Sequence, residues 1–434
     1  MSLSFSPRNF RLTGMAMNFR LSLVILSSCL WLLNACQPGH DESLTFWAFG
    51  SEGEVAHELA SEFERLNPDV RVEVQPIPWN AAHEKLLTAY AGGSLPDVFQ
   101  LGNTWIAEFQ ALRALDDVTR RFGNTGQKGD YFEGALDATF VEGRMWAVPW
   151  YVDTRILFYR RDLLEAVGIT SPPRRWDGWF EALSRFHERT GAFGLFLAID
   201  AWEVPVVFAM QHGAALLKDG DRHGDFLHPG FRAAFDAYLG WFREKLAPAE
   251  SSGQVANLYR EFEQGYFAAL ITGPWNLGEF RRRLRDLDAA AWDTAPLPSF
   301  DDSYPGISLA GGGSLALAYA SRHKDAAWRL IEFLTEPRQQ VYLYRLTGDL
   351  PPGRTAWSDP ALAGDRKARS FRSQMERIAP LPKIPEWERI ASRIAACAER
   401  AVRGEVPPQA ALEALNREVD RILEKRRWLL ERGL

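Results

Sequence analysis

The sequence predicts an α/β protein of two lobes, each a mostly parallel sheet flanked by helices. A chain of 434 residues is longer than one compact core usually supports. Strand and helix patterns alternate along it, which indicates right-handed βαβ units. The stretch 143–160 holds two apolar runs separated by Pro149, Trp150, Tyr151 and Asp153, as suits a chain that crosses between two globular halves. Because Pro149 cannot donate to a sheet ladder, the first of these strands should end or change partner there.

The first lobe is expected to contain residues 41–149 and about 303–350. Its opening strand is nearly all apolar from Leu44 to Phe49, as a strand buried on both faces should be. Ser51 and Glu54 have the spacing of a capping box for the helix that follows. The remaining elements, in order, are a strand with alternating valines at 70–74, a helix from Asn80 to Gly92-Gly93, a strand at 96–101, a helix capped by Thr104, a strand at 315–319 and a helix at 326–334.

The second lobe is expected to contain residues 150–302 and about 351–434. Its elements are a strand ending at Phe158-Tyr159, helices at 162–167 and from Asp177, a strand at 195–199, helices from Pro205 and over 231–242, a strand at 266–272, and final helices at about 386–402 and 408–430. Several tryptophans in these patterns are assigned to the core because most tryptophans of a large protein are buried: Trp176, Trp241, Trp292, Trp328, Trp357, Trp387 and Trp428.

Composition and charge narrow the class of partner. The chain is 46% hydrophobic and 24% charged, which is typical of a globular protein. It carries 50 basic and 56 acidic side chains, and the first 36 residues contain arginines but no acid, so the rest of the chain is distinctly acidic. An acidic body argues against nucleic acid or an anionic ligand as the main partner. We expect no metal and no cofactor, because His57-Glu58 and His83-Glu84 lack the second histidine of a zinc-protease helix.

The N-terminus predicts export. Arg20 precedes an apolar run of signal-peptide length, Leu21 to Leu33. The run ends in Leu33-Asn34-Ala35-Cys36, which resembles the bacterial lipobox, so residues 1–36 are expected to be a lipoprotein signal peptide and Cys36 to carry the lipid. The protein would then lie in the periplasm or at the cell surface, held to the membrane by its lipid anchor only. A plain signal peptide with a chance cysteine is the alternative.

Ligand-binding groups are expected beyond the carboxyl ends of the strands, where open α/β sheets bind their ligands. Most of the positions that follow a strand here carry a flat ring, an acceptor or a glycine. A neutral sugar requires these groups, because its C–H faces stack on aromatic rings, its hydroxyls need hydrogen-bond partners, and glycine allows close approach of the backbone. The candidate ligand-binding residues are Glu52, Trp79, Asn103, Trp105, Tyr151, Asp153, Trp202, Glu203, Trp275, Gly311 and Gly312.

Several motifs together resemble a known family. They include Phe63-Glu64-Arg65-Leu66-Asn67-Pro68, Leu95-Pro96-Asp97-Val98, the crossover with Leu157-Phe158-Tyr159-Arg160, and Gly273-Pro274-Trp275. Their order is similar to that in the extracellular solute-binding proteins of bacterial ABC importers, in the sugar-binding branch typified by maltose- and trehalose/maltose-binding proteins. The resemblance implies the two-lobed periplasmic-binding-protein fold, in which a hinge links the lobes and lets them close over a sugar in the cleft.

The resemblance also implies residue roles and partners. Tyr151 and Asp153 match a sugar-contacting Tyr-x-Asp pair, Trp275 matches a stacking tryptophan, and Gly311-Gly312 match backbone contacts. Arg354 matches an arginine that binds sugar hydroxyls. Gly102 and Gly313 depart from the family pattern, which often has Asp and Trp there, and both are expected to enlarge the cleft. The implied partners are a neutral di- or oligosaccharide and the transmembrane subunits of an ABC permease, with the protein itself a monomer.

Two other functions stay open at the level of sequence. A secreted glycoside hydrolase or lyase would also have an aromatic cleft with acids, and Glu52 and Asp153 could form a catalytic pair. A lipoprotein that passes its bound sugar to a sensor rather than to a permease would have the same sequence features. The absence of a Gly-x-Ser-x-Gly elbow and of a phosphate-binding P-loop favours a binding protein.

Overall fold

A computed structural model describes residues 42–255 and 257–432. The predicted signal peptide and the lipidation site Cys36 lie outside the described residues. Among the described helices, none has the length and apolar character needed to cross a membrane.

The strands, in chain order, are β1 Glu42–Phe49, β2 Val70–Ile77, β3 Val98–Gly102, β4 Phe140–Val141, β5 Arg144–Met145, β6 Val148–Asp153, β7 Ile156–Arg160, β8 Phe193–Phe196, β9 Leu217–Lys218, β10 His223–Gly224, β11 Phe267–Thr272, β12 Trp292–Ala295, β13 Ser308–Leu309, β14 Gly311–Leu317 and β15 Ile378–Ala379.

The helices are α1 Gly50–Leu66, α2 Trp79–Ala91, α3 Ile106–Ala111, α4 Thr119–Asn124, α5 Glu133–Asp137, α6 Arg161–Ala166, α7 Trp176–Thr190, α8 Glu203–Gln211, α9 Pro229–Arg243, α10 Leu258–Glu263, α11 Trp275–Arg283, α12 Lys324–Leu334, α13 Pro337–Thr347, α14 Pro360–Ala363, α15 Arg366–Gln374, α16 Trp387–Val402, α17 Pro408–Ile422 and α18 Glu424–Leu430. Short 3₁₀ turns lie at Asn103–Trp105, Gln127–Asp130, Thr355–Ser358 and Met375–Arg377.

Two sheets organise these elements into two lobes. The first lobe has a five-stranded sheet in the order β2-β1-β3-β14-β6, and the second has a four-stranded sheet in the order β12-β7-β11-β8. In each sheet one strand runs against the others: β14 in the first sheet and β7 in the second. Most strands of each sheet therefore run in the same direction, as expected. In the second sheet, however, β11 and β8 are the only neighbouring strands that pair in parallel, so the expectation of mostly parallel pairing is wrong there. The reason is that β14 and β7 both enter their sheets from the region where the chain crosses between lobes.

The crossing lies later than the predicted boundary at 149/150. Strand β6 continues through Pro149 to Asp153, and the chain reaches β7 of the other sheet after Thr154 and Arg155. Pro149 does not end the strand. Instead the register against β14 shifts directly after it, since Pro149 lies opposite Ser314 and Tyr151 opposite Gly313, so that Trp150 has no partner in the ladder. This β-bulge accommodates the residue that cannot donate a backbone hydrogen bond.

Further segments connect the lobes beside this crossing. The Ser308 hydroxyl donates to the Arg155 carbonyl at 2.8 Å and accepts the Arg155 backbone N–H at 3.1 Å. Strand β13, which contains Ser308, pairs in parallel with β15. The backbone N–H of Val152 donates to the Leu350 carbonyl at 2.9 Å. Several neighbouring segments thus form a hinge in which small backbone rotations can move one lobe relative to the other.

Each lobe has its own apolar core. Helix α1 buries Leu59 and Phe63 against the first sheet, and α16 and α17 bury Trp387, Ile390 and Leu415 in the second lobe. Six of the seven tryptophans assigned to the core are buried. The assignment of Trp428 is wrong, because its side chain is 50% exposed on the short terminal helix α18.

The caps predicted for two helices are also wrong. Helix α1 begins at Gly50, one residue before Ser51, and the Phe49 N–H is bound by the Gln100 side chain at 2.6 Å. Thr104 lies inside a 3₁₀ turn that leads into α3 and caps neither. Helix α1 therefore begins directly after β1, which places its first residues at the edge of the sheet. Helix α3 begins only at Ile106, after the 3₁₀ turn Asn103–Trp105.

Candidate functional site

Two adjoining cavities lie between the lobes. The larger has a volume of about 410 Å³ and the smaller of about 200 Å³. They share Trp79, Asp153 and Arg155 in their linings, so they are two parts of one cleft. The larger part is also lined by Gly50, Ser51, Glu52, Tyr151, Trp275, Glu279, Arg282, Thr347 and Asp349, and the smaller by Gly102, Asn103, Thr104, Trp105, Trp202, Glu203, Leu309, Gly311, Gly312, Leu381 and Glu388.

This cleft contains all but one of the ligand-binding residues predicted from the sequence. The exception is Arg354. Its guanidinium pairs with Glu376 at 2.8 Å and lies over the Phe132 ring at 4.3 Å, outside both cavities. A local carboxylate and an aromatic ring thus hold the Arg354 side chain away from the cleft in this structure.

A buried acid lies at the start of α1. Glu52 follows β1 directly and is only 5% exposed. Its partner Tyr151 accepts a hydrogen bond from Gln100 Nε2 at 3.0 Å, which leaves the phenolic hydrogen free to donate to Glu52. Burial, together with the nearby charge of Asp349, raises the pKa of Glu52 well above its usual range, although hydrogen bonds from Tyr151 and Ser51 oppose this shift.

Asp349 forms a pair with Glu52. It is 2% exposed, and its Oδ2 atom has no hydrogen-bond partner among the described residues. Burial raises the pKa of Asp349 to about 6, and the nearby charge of Asp153 acts in the same direction. Since two adjacent carboxylates cannot both ionise cheaply, the pair retains a proton at a pH where isolated carboxylates have lost theirs. Sequence reasoning missed Asp349, which follows a helix rather than a strand.

Arg155 joins acids from both lobes. It is hydrogen-bonded to Asp153, at the end of β6, and its Nη2 donates to Glu203 of α8 at 2.7 Å. Burial acts to lower the pKa of the Arg155 guanidinium, but the two carboxylates have the larger combined effect, so the pKa is raised. Burial also raises the pKa of Asp153, against the opposing effect of Arg155. Arg155 was missed by the sequence analysis. The signal was present, because a cation two residues after an acid on the crossing segment is a natural partner for it.

Aromatic rings form the walls of the cleft. Trp79 stacks on Trp105 with ring centroids 5.3 Å apart and an interplanar angle of 30°. Trp79 is 42% exposed whereas Trp105 is buried, so the Trp79 ring is available to a ligand and Trp105 supports it. On the opposite lobe, Trp275 lies under the Arg155 guanidinium at 4.8 Å. Trp202 is half-buried and packs edge-on against Trp387.

The glycines of the site are required by packing within the protein. Gly312 has a φ of +133°, and a Cβ atom there would lie 2.3 Å from the Tyr151 carbonyl oxygen. A Cβ on Gly311 would lie 2.7 Å from the Asp153 carbonyl oxygen. Strand β14 can therefore approach β6 only because both residues lack a side chain.

The two glycines that depart from the family pattern do not simply enlarge the cleft. A Cβ on Gly313 would lie 2.4 Å from the Tyr151 ring, and a Cβ on Gly102 would lie 3.1 Å from the Trp105 ring. An aromatic side chain therefore lies beside each glycine. The expected extra space is in part filled by Tyr151 and Trp105. Nearby, Asn103 Oδ1 accepts a hydrogen bond from the Ser314 hydroxyl at 2.7 Å.

Comparisons with known proteins decide the family. Residues 49–341 match the family of bacterial extracellular solute-binding proteins. The chain belongs to this family. It is similar to the solved structure of the sugar-binding protein MalE from the phytopathogen Xanthomonas citri, with a TM-score of 0.86 and 42% identity, covering 90% of this chain and 99% of that one.

Two curated relatives extend the similarity. The diacetylchitobiose-binding protein DasA of Streptomyces coelicolor is 27% identical over 365 residues, which are 80% of this chain and 81% of the relative. The galactooligosaccharide-binding protein of Bacillus subtilis is 22% identical over 417 residues, or 92% and 96% of the two chains. The family and these relatives are binding proteins. The resemblance that the motifs indicated is confirmed, and so is the two-lobed fold.

Proposed function

We propose that this protein is a lipid-anchored receptor that captures a neutral di- or oligosaccharide in the cleft between its lobes and delivers it to an ABC permease. The observation that carries the proposal is the cleft itself, where aromatic rings and hydrogen-bonding groups from both lobes face two connected cavities. The named relatives support the class of ligand, since MalE is described as sugar-binding, DasA binds diacetylchitobiose and the Bacillus protein binds galactooligosaccharide.

The chemistry of the cleft favours a neutral sugar over an acidic one. Trp79 and Trp275 offer flat apolar faces to sugar C–H groups. Asp153 offers a carboxylate acceptor to sugar hydroxyls, and such charge-assisted hydrogen bonds are stronger than neutral ones. The Glu52–Asp349 pair, which retains a proton, offers both acceptors and a donor. The Arg155 guanidinium is already bound to two carboxylates, so a uronic acid would add negative charge to a site that is rich in acids.

Ligand binding would act through the hinge. The first lobe supplies Glu52, Trp79 and Tyr151 to the cleft, and the second supplies Trp202, Glu203 and Trp275. A sugar can contact both groups at once only when the lobes are close together, so it shifts the population toward the closed form by its difference in affinity for the two forms. A permease that recognises the closed form would then respond only to the loaded receptor.

The remaining parts of the proposal rest on the sequence. The lipobox-like segment ending at Cys36 supports a lipid anchor and a location in the bacterial periplasm or at the cell surface. The family supports an extracellular location and a permease partner. We propose that the receptor acts as a monomer and that the ligand-binding residues are the predicted set without Arg354, together with Arg155 and Asp349.

A thermal-shift screen against a glycan panel, followed by calorimetry on the sugars that stabilise the protein, tests this function. We expect a neutral di- or oligosaccharide to raise the unfolding temperature and to bind with a stoichiometry of one. Stabilisation by uronic acids alone would contradict the neutral ligand, and no stabilisation by any sugar would contradict the receptor. Release of reducing sugar from a bound oligosaccharide would indicate a glycoside hydrolase instead.

A further inference from the structure

The larger cavity holds more acid than base. The charged side chains in its lining are those of Glu52, Asp153, Glu279, Asp349, Arg155 and Arg282. Both arginines are already bound to carboxylates of this set. Arg155 is bound to Asp153, and Arg282 is bound to Glu279. The positive charge in the lining is therefore used by two of the acids, and the other two have no cation beside them.

The two remaining acids, Glu52 and Asp349, are buried at the cavity wall. Glu52 is 5% exposed and Asp349 is 2% exposed. Among the described residues neither acid forms an ion pair, and the Oδ2 atom of Asp349 has no hydrogen-bond partner. A buried carboxylate without a partner costs free energy, and the pair lowers this cost by retaining a proton. The site thus has room for one positive charge that no side chain supplies.

A line of hydrogen bonds fixes the positions of both acids. The Gln100 side chain accepts the backbone N–H of Phe49 at 2.6 Å, directly before α1, and donates to the Tyr151 hydroxyl at 3.0 Å. The next residue of β6, Val152, donates its backbone N–H to the carbonyl of Leu350 at 2.9 Å. Leu350 directly follows the second of the two acids in the chain. Both acids are therefore positioned before a ligand arrives, which reduces the cost of binding.

Aromatic rings lie beside these acids. A Cβ atom on Gly50 would lie 3.3 Å from Glu52 Oε2 and 3.9 Å from the Cβ atom of Trp79, so the carboxylate and this tryptophan flank the same backbone position. Trp79 is 42% exposed, and Trp275 lines the same cavity. A cation is attracted to carboxylates and to the face of an indole ring. An ammonium also has three hydrogen-bond donors, so it can serve two carboxylates at once, whereas a hydroxyl has only one donor.

We propose that the larger cavity binds a saccharide ring that carries a protonated amino group, with Glu52 and Asp349 as the acceptors of its ammonium. The ammonium takes the place of the proton that the two acids retain, so the net charge of the occupied cavity is the same with a basic amino sugar as with a neutral one. This inference rests on the proposed carbohydrate function and deepens it, because it adds basic amino sugars to the neutral sugars that the receptor captures.

The test starts from the neutral di- or oligosaccharide that binds best in the glycan panel. Analogues replace one ring hydroxyl at a time with an amino group, and each amine is also prepared in its N-acetylated form. Calorimetry with the full-length protein at about pH 6.5, below the ordinary pKa of an amine, measures each affinity. We expect at least one amino analogue to bind at least about tenfold more tightly than the neutral sugar, and N-acetylation to abolish this gain because it removes the charge.

Matched variants assign the gain to the two acids. Asp349→Asn keeps the size of the side chain but removes its charge, so the preference for the amino analogue over the neutral sugar should fall at least about tenfold. Asp302→Asn is the control, because it removes an acid whose side chain is 96% exposed. It should change the preference by less than about threefold, since solvent and salt screen an exposed charge. Circular dichroism and the unfolding temperature establish that each variant is folded.

The outcomes separate this inference from the function on which it rests. If no neutral sugar binds, the carbohydrate function itself is wrong. If a neutral sugar binds and no amino analogue shows the expected gain, the ammonium site is wrong and the receptor function stands. If Asp349→Asn keeps the full preference for the amino analogue, or Asp302→Asn loses it to the same extent, the assignment of Glu52 and Asp349 as the acceptors is wrong.

Discussion

At the scale of single residues, the side chains of the cleft are held by each other before any ligand arrives. Arg155 is bound to Asp153 and Glu203, and Tyr151, which lines the larger cavity beside Glu52, is bound to Gln100. Such contacts fix rotamers in advance, so less entropy is lost when a ligand binds. The exception is Asp349, whose Oδ2 atom is buried without a partner among the described residues. An unpaired buried acceptor costs stability, and a site that binds a ligand is where such a cost is expected.

Asp349→Asn should raise stability above neutral pH. The pKa of Asp349 is about 6 in the folded protein against an ordinary value of 3.8, so between these values the native state holds a proton that the unfolded chain has lost. The free energy of unfolding therefore falls as the pH rises through this window and stays lower above it, by up to about 3 kcal/mol. The raised pKa of Glu52 likewise makes the free energy of unfolding fall as the pH rises.

Thermal unfolding of both proteins between about pH 4 and about pH 8 measures this effect. We expect the variant to be more stable than the parent by several degrees at the upper end and nearly equal to it at the lower end. Asp302→Asn is the control, because that side chain is 96% exposed. A difference between variant and parent that does not depend on pH would contradict the assigned proton.

Trp275→Ala should weaken sugar binding by about tenfold or more while the fold is retained. The ring lines the larger cavity and lies under Arg155, so its loss removes both a stacking face and the support of a guanidinium that joins the lobes. Calorimetry with the best sugar of the panel measures the change. Trp428→Ala, at an exposed ring outside both cavities, should leave affinity unchanged. Equal affinities for the parent and Trp275→Ala would remove Trp275 from the binding site.

At the scale of elements, the bulge in β6 and the glycines of β14 depend on each other. Trp150 is the extra residue in β6, and Gly311 and Gly312 follow its path on the neighbouring strand with almost no clearance. The pair of strands places Tyr151 and Asp153 in the cleft at the point where the chain leaves the first sheet. Sequence patterns indicated a crossover within the stretch 143–160, although the chain leaves the first sheet after Asp153 rather than at 149/150. They did not predict the bulge, because a missing backbone donor can be accommodated by ending a strand or by shifting its register.

Gly312→Ala should lower the unfolding temperature and the sugar affinity together. The φ of +133° is strained for any residue with a side chain, and the added Cβ would overlap the Tyr151 carbonyl oxygen at 2.3 Å. We expect a loss of about 2 kcal/mol or more in the free energy of unfolding, measured with denaturant. Gly123→Ala is the matched control, since it lies in helix α4 with open space around its Cβ and should be neutral or slightly stabilising. Retention of parental stability by Gly312→Ala would show that β14 can move away from β6.

At the scale of the whole molecule, the two lobes meet through a hinge on one side and through side-chain contacts across the cleft. Arg155, on the segment that joins the two sheets, is bound to Asp153 of the first lobe and to Glu203 of the second. A ligand that contacts both lobes would add to this connection and stabilise closure.

Saturating sugar should make the protein more compact. Small-angle X-ray scattering of the free and sugar-bound protein measures the radius of gyration, which we expect to decrease on binding because closure brings the lobes together. The variant Arg155→Lys should bind more weakly and respond less, since lysine keeps the charge but loses the planar fork that holds two carboxylates at once. If calorimetry shows saturated binding while the radius of gyration of the parent protein stays constant, hinge closure is not the response to ligand.

The sequence by itself determined the class of fold, the crossover stretch, and the groups that follow each strand, because strands and helices leave periodic patterns and ligand groups collect at strand ends. Only the tertiary structure decided which further residues lie in the site beside the groups that follow the strands. Asp349 and Glu52 line the larger cavity together, and Glu388 and Thr104 line the smaller one, although hundreds of residues separate the members of each pair. Nothing local to either partner indicates this proximity. Arg354 is the opposite case. The family resemblance assigned it to the site, but its side chain pairs with Glu376 outside the cleft. Local patterns follow from the backbone near each residue, whereas the cleft is formed by packing between distant segments.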